Sequence, residues 1–71
     1  MQSFELSGEF IELHALLKLA GVCDSGGAGK ALVASGRVSV DGRVETRKTC
    51  KIRPDQTVNC GDISIRVVRV G

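Results

Sequence analysis

The spacing of apolar positions switches from two to about 3.6 and back again along this chain. Phe4 and Leu6 alternate with Ser3 and Glu5, which predicts a short strand, and Ser7-Gly8 interrupts it. From Glu9 onward the period is helical. Phe10, Leu13, Leu17 and Ala20 fall on one stripe, broadened by Leu16 and Leu19. Glu9 and Glu12 would sit in the first turn of this helix and Lys18 in the last, both suited to the helix dipole. The pattern predicts a first helix over 9–20, stopped by Gly21. Asp24-Ser25 offers a side-chain cap for a second helix. Its inner face would carry Ala28, Ala31, Leu32 and either Ala34 or Ser35, and Gly36 would end it. With Val22 to Asp24 as connector, the two make an αα-hairpin.

The second half returns to a period of two. Arg37-Val38-Ser39-Val40, Asp41-Gly42 and Arg43-Val44-Glu45 read as a β-hairpin, because Asp-Gly suits a tight left-handed turn. A strict two-residue loop sets Val40 opposite Arg43 and mismatches the apolar faces, so a longer loop or a bulge is expected. Arg47 to Arg53 is basic and irregular apart from Ile52, and Pro54-Asp55 makes a turn. Thr57 to Cys60 reads as a strand, Gly61-Asp62 turns the chain, and Ile63 to Val70 carries the clearest strand of all. One strand, two helices and a run of strands define an α+β fold.

Size narrows the function classes. A chain of 71 residues with 42% apolar positions predicts one domain over 1–71 with one small aliphatic core. A domain of this length buries only about 60% of its unfolded surface, so neither high stability nor a deep cleft is expected. A catalytic cavity of several hundred Å³, the usual roughly 300–1,000 Å³ range, is not expected either. No apolar run approaches the roughly 20 residues of a membrane span. Met1 to Glu5 has neither the basic start nor the apolar stretch of a signal peptide, which predicts a cytoplasmic protein. Cys23, Cys50 and Cys60 are odd in number and form no C-x-x-C pair. They suit neither a disulfide framework nor a zinc site and read as small reduced thiols, so no metal or cofactor is expected. His14 lies just off the apolar stripe, has no nucleophile near it in sequence, and reads as a partly exposed structural residue. No paired carboxylates stand out, and no enzyme is predicted.

Charge changes the picture more than composition does. The formal net charge is only +2. Residues 1–29 set Lys18 against Glu5, Glu9, Glu12 and Asp24, a balance of −3. Residues 30–53 set Lys30, Arg37, Arg43, Arg47, Lys48, Lys51 and Arg53 against Asp41 and Glu45, a balance of +5. A basic block inside one compact domain predicts a positive face and a polyanionic partner.

Two segments could serve that face. Asp24-Ser25-Gly26-Gly27-Ala28-Gly29-Lys30-Ala31 superficially resembles a nucleotide-binding loop, but Asp24 replaces the first glycine and Ala31 the required hydroxyl. What survives is a helix N-terminus at Ser25, Gly26 and Gly27, whose free amides can cradle a phosphate within reach of Lys30. The bland alternative is that these small residues merely let the helices pack. Glu45 to Arg53 is the densest charge in the chain, and Arg37 and Arg43 extend its sign. Its bland alternative is a solvated sheet edge with protective charges. Phe4 and Phe10 are the only rings and both fall on predicted core faces. Stacking of bases on aromatic platforms is therefore not expected, and phosphate and shape recognition is. A protein-interaction module docking an acidic partner is the rival reading. The C-terminal Gly71 follows Val70 and lacks the paired glycines of a β-grasp sulfur carrier.

Several motifs occur together: Leu13-x-x-Leu16-Leu17-Lys18-Leu19-x-Gly21, Ser25-Gly26-Gly27-x-x-Lys30, Gly36-x-Val38-x-Val40-Asp41-Gly42, Glu45-Thr46-Arg47-Lys48 and Lys51-Ile52. Over about residues 9–60 the chain resembles the S-four-like RNA-binding domain, the αL motif, and is most similar to its small single-domain, ribosome-associated bacterial members. The resemblance implies an αα-hairpin on a small, mostly antiparallel sheet. It also implies structured RNA, ribosomal or transfer RNA, bound across the second helix and the β-hairpin. The positions it implicates are Lys18, Ser25, Gly26, Lys30, Arg37, Arg43, Arg47, Lys48 and Lys51; Gly27 joins them as part of the phosphate cradle. Many larger relatives carry more basic residues where this chain has Gly27-Ala28-Gly29, and the modification chemistry of multidomain relatives is not expected of these 71 residues.

Overall fold

The computed structural model describes residues 1–70, so Gly71 and any role for it lie outside the described residues. Nine elements follow in order: β1 (Gln2–Leu6), β2 (Ile11–Glu12), α1 (Leu13–Leu19), α2 (Gly26–Ala34), β3 (Val38–Val40), β4 (Arg43–Val44), β5 (Lys51–Ile52), β6 (Thr57–Cys60) and β7 (Ile63–Arg69). Five strands form one sheet in the order β1-β7-β6-β3-β4. Only β1 and β7 run parallel, and the other pairings are antiparallel. The α+β architecture with a helical hairpin on a mostly antiparallel sheet is as expected.

One face of the sheet closes the core. Leu13, Leu16 and Leu17 of α1 and Val33 of α2 are fully buried with Val38, Val58, Ile65 and Val67 from the sheet and Ile52 from β5. Period-two burial along β7, with Ile65 and Val67 inward and Arg66 outward, is what a half-buried strand requires.

The first helix starts four positions later than its periodicity suggests. Ile11 and Glu12 pair with Ile52 and Lys51 in a separate two-stranded ribbon, so Phe10 to Glu12 are not helical. Glu9 and Glu12 consequently do not occupy a first turn. Phe10 is 39% exposed rather than a core residue, and the Lys51 ammonium sits 4.8 Å from its ring centroid. Leu19 also faces outward. Gly21 ends α1 at φ +82° as predicted, with the Val22 amide donating to the Leu17 carbonyl.

The inner face of α2 is also displaced. Ala28 and Ala31 are exposed and Leu32 is half-buried, while Gly29 and Val33 carry the contact. Glycine and alanine fill six of the nine positions of this helix, so its periodicity was weak. Gly29 is selected by proximity, because a Cβ there would stand 2.8 Å from the His14 carbonyl oxygen.

The hairpin turn corrects another expectation. Val40 does pair with Arg43, with Asp41 and Gly42 as the two loop residues at φ 52° and 85°. That is the left-handed, two-residue turn that Asp-Gly favours. No bulge is needed, because β4 is a two-residue edge strand with both side chains exposed and no face to match. Asp41 then pins the turn to β6, its carboxylate accepting from the Thr57 amide at 3.0 Å and the Gln56 side-chain amide at 3.1 Å.

Candidate nucleic-acid interface

Helix termini leave amides without partners, and the two helices here satisfy theirs differently. At α2 the Ser25 hydroxyl accepts from the Ala28 amide at 3.1 Å, as its capping role predicts. The Gly26 and Gly27 amides, at the first two helical positions, have no partner within the helix. At α1 no side chain caps. Instead the Leu13 amide donates to the Cys50 carbonyl at 2.9 Å and the His14 amide to the Lys48 carbonyl at 3.1 Å. The basic loop is thereby fastened across the start of α1.

His14 links that loop to the second helix. Its backbone carbonyl packs on Gly29, and its Nδ1 lies 4.0 Å from where a Cβ of Gly26 would be. Its Nε2 is 3.2 Å from the Glu12 carboxylate, while Nδ1 is buried without a hydrogen-bond partner. His14 is thus the half-buried structural residue that the sequence suggested, placed between the Lys48 backbone and the opening of α2.

These contacts bring part of the predicted set together. Ser25, Gly26, Gly27 and Lys30 stand at the opening of α2, and the Lys48 backbone lies alongside through His14. Lys18 lies one turn beyond His14 on α1. Lys51 follows in β5, over Phe10. Arg43 lies on the edge strand β4, beside the loop. Arg37 is not brought in: it follows the far end of α2, whose nine residues span about 13 Å at ~1.5 Å per residue. All these residues are exposed except Gly26, which is half-buried. Among the described residues, Arg47 is the one lysine or arginine paired with a carboxylate.

That pair is the feature the sequence reading missed. The Glu45 carboxylate accepts from the Arg47 amide at 2.9 Å, from its Nε at 3.1 Å and from its Nη2 at 3.2 Å. Bonding to Arg47 pulls the Glu45 carboxyl from its ordinary 4.5 down to about 2 and holds the guanidinium more firmly protonated. Cys50 lies against the same carboxylate, and burial first, then Glu45, raises its thiol pKa. The Glu-x-Arg spacing was legible, but a two-residue separation has no regular geometry that would have flagged it.

The three cysteines are free thiols, and burial raises the pKa of Cys23 as well. Among the described residues no group of three or more metal-ligating side chains is found. None of the helices described is long and apolar enough to cross a membrane. The cleft expectation needs amending: an open hollow of about 470 Å³ lies between the β3–β4 hairpin and the loop that follows it.

A helical hairpin on a mostly antiparallel sheet, with a cationic loop tied to the first helix, defines a small α+β binding fold of the αL type. A model of the S4 domain matches residues 4–68, and the chain belongs to that family. It is 52% identical over 58 residues to YbcJ of Escherichia coli (strain K12), a match covering 82% of this chain and 83% of the relative. YbcJ of Shigella flexneri matches to the same extent. The solution structure of the Escherichia coli YbcJ is similar at a TM-score of 0.75 and 48% identity, covering 96% of this chain and 87% of that one. That structure is described as revealing an αL motif involved in RNA-binding.

Proposed function

We propose that this chain is a non-enzymatic module that binds structured RNA, of the ribosomal or transfer class, through its sugar–phosphate backbone. The observation that carries the reading is the fastening of the basic loop: the His14 amide on the Lys48 carbonyl and the His14 carbonyl against Gly29. These contacts support a reading in which the exposed cations of the loop act together with the open end of α2. Membership of the S4 domain family and the RNA-binding description of the YbcJ structure support the same conclusion.

In this reading the Gly26 and Gly27 amides and the Ser25 region take one phosphate at the positive end of α2. Lys18, Lys30, Arg43, Lys48 and Lys51 neutralise others, with Arg37 reaching a more distant one and Arg47 contributing beside Glu45. A cytoplasmic, ribosome-associated setting would supply such RNA. The test is a salt titration with a folded RNA such as transfer RNA. Engagement of about four to six phosphates gives a slope of log K against log salt of roughly −4 to −5. A nearly flat slope overturns the reading. A partner that survives RNase treatment would point instead to an acidic protein on the same face.

A further inference from the structure

Apart from the charges of Arg43 and Arg47 on its lining, the hollow between the β3–β4 hairpin and the Glu45–Cys50 loop is not used by backbone recognition. Its volume, about 470 Å³, lies within the roughly 300–1,000 Å³ of sites that hold small organic groups. Val40, Val44 and Cys50 are the apolar part of its lining, Arg43 and Arg47 give it two guanidinium groups, and the Asp41 and Glu45 carboxylates and Gln56 that complete it are engaged in hydrogen bonds of their own. Val44 is 65% exposed, an apolar surface with nothing on it.

Arg47 is the unusual member. Two of its side-chain nitrogens and its own amide bond one carboxylate, so the guanidinium is fixed in orientation although its side chain is 76% exposed. Glu45, whose side chain is only 17% exposed, is the anchor. An arginine whose charge is already matched by a carboxylate is a weak phosphate ligand. A planar guanidinium fastened to a carboxylate by its Nε and Nη2 edge keeps its faces for stacking. Arginine planes serve this purpose for unstacked bases where no aromatic ring is available.

We propose that the hollow receives one unpaired nucleobase of the bound RNA, stacked on the Arg47 guanidinium that Glu45 holds in place. Val40, Val44 and Cys50 would shield the base, and Arg43 would meet its flanking phosphate. Stacking offers a face to every base, so the preference is for an extruded nucleotide and not for a particular sequence. The inference rests on the RNA-binding reading above and adds a structural preference to it.

The test compares two stem-loop RNAs, one fully paired and one carrying a single 2-aminopurine bulge, bound to the full chain at fixed salt. The bulged RNA is expected to bind about tenfold tighter, within the range that stacking one base supplies, with its 2-aminopurine fluorescence quenched. Glu45→Gln removes a negative charge and so tightens binding of the paired stem, yet it brings the affinity ratio toward one. Arg47→Lys keeps the charge, loses the plane, and also brings the ratio toward one. Amide spectra of both variants check that they fold. Equal binding of the two RNAs by the unaltered chain, or an undiminished ratio in both variants, overturns the inference and leaves RNA binding standing. Failure to bind either RNA overturns the RNA-binding reading and the inference with it.

Discussion

The backbone carbonyl oxygen of His14 occupies the space in which a side chain on Gly29 would have to stand, 2.8 Å from its Cβ position. This contact sets how closely α1 and α2 approach, and through His14 it sets where the basic loop lies. Gly29→Ala is therefore expected to destabilise the fold by about 1–3 kcal/mol, as overpacking does, although alanine is the better helix former by ~1 kcal/mol. Gly27→Ala, whose nearest neighbour is the Ser25 hydroxyl at 3.9 Å, is expected to be neutral or to stabilise by ~0.5 kcal/mol. Urea denaturation of the two variants checks the contrast, which helix propensity alone would not produce.

The Ser25 cap and the proposed phosphate cradle can be separated by charge. Ser25→Ala removes the hydroxyl that accepts from the Ala28 amide and is expected to cost about 1 kcal/mol. Ser25→Asp restores a capping oxygen and suits the helix dipole, so its stability should match the parent. The same carboxylate repels phosphate, and RNA affinity should fall at least severalfold. Denaturation and RNA titration on this one variant give opposite answers only if the helix opening is part of the interface.

Two carboxylates make stability sensitive to acid. Bonding to Arg47 lowers Glu45 from 4.5 to about 2, and the Thr57 amide followed by the Gln56 side chain lowers Asp41 below its ordinary 3.8. Each binds its proton more weakly in the folded chain than in the unfolded one. Their stabilisation is thus complete above about pH 4.5 and is lost as the pH falls toward 2. Denaturation midpoints collected across that window should decline, and Glu45→Gln should flatten part of the decline. An identical pH profile for that variant would show that the Arg47 pair does not form in solution.

Lys30 and Lys48 are exposed, and among the described residues neither is paired with a carboxylate. Lys30→Glu with Lys48→Glu should leave the denaturation midpoint nearly unchanged, since surface substitutions away from special contacts cost within about 0.5 kcal/mol each. RNA binding should fall at least tenfold, because four units of charge change at the mouth of α2. Reversing Arg47 would be a poorer test, since a carboxylate there would face Glu45 and disturb the loop itself.

Local chemistry was well written in the sequence. Asp41-Gly42, Gly21 and Gly36 announced positive φ, Ser25 announced a cap, and each occurs where the residue's own local preference favours it. The strands of the five-stranded sheet, the two-helix hairpin and the basic block were legible for the same reason. Departures from expectation arose wherever a distant partner intervened. Ile11 and Glu12 abandon a helical pattern because Ile52 and Lys51 pair with them. Phe10 leaves the core because the helix that would have buried it begins after it. Gly29, not Ala28 or Ala31, faces α1 because the His14 backbone passes there.

The candidate site divides along the same line. Residue type and spacing were enough to identify the αα-hairpin, the capped helix opening and the cationic segment, since propensity, capping and charge are properties of neighbours along the chain. Only the folded chain could tie the Lys48 and Cys50 carbonyls to the start of α1 and set the His14 backbone against Gly29 of α2. Those outcomes depend on which backbone groups find partners across long loops, and that competition is settled by packing of the whole core.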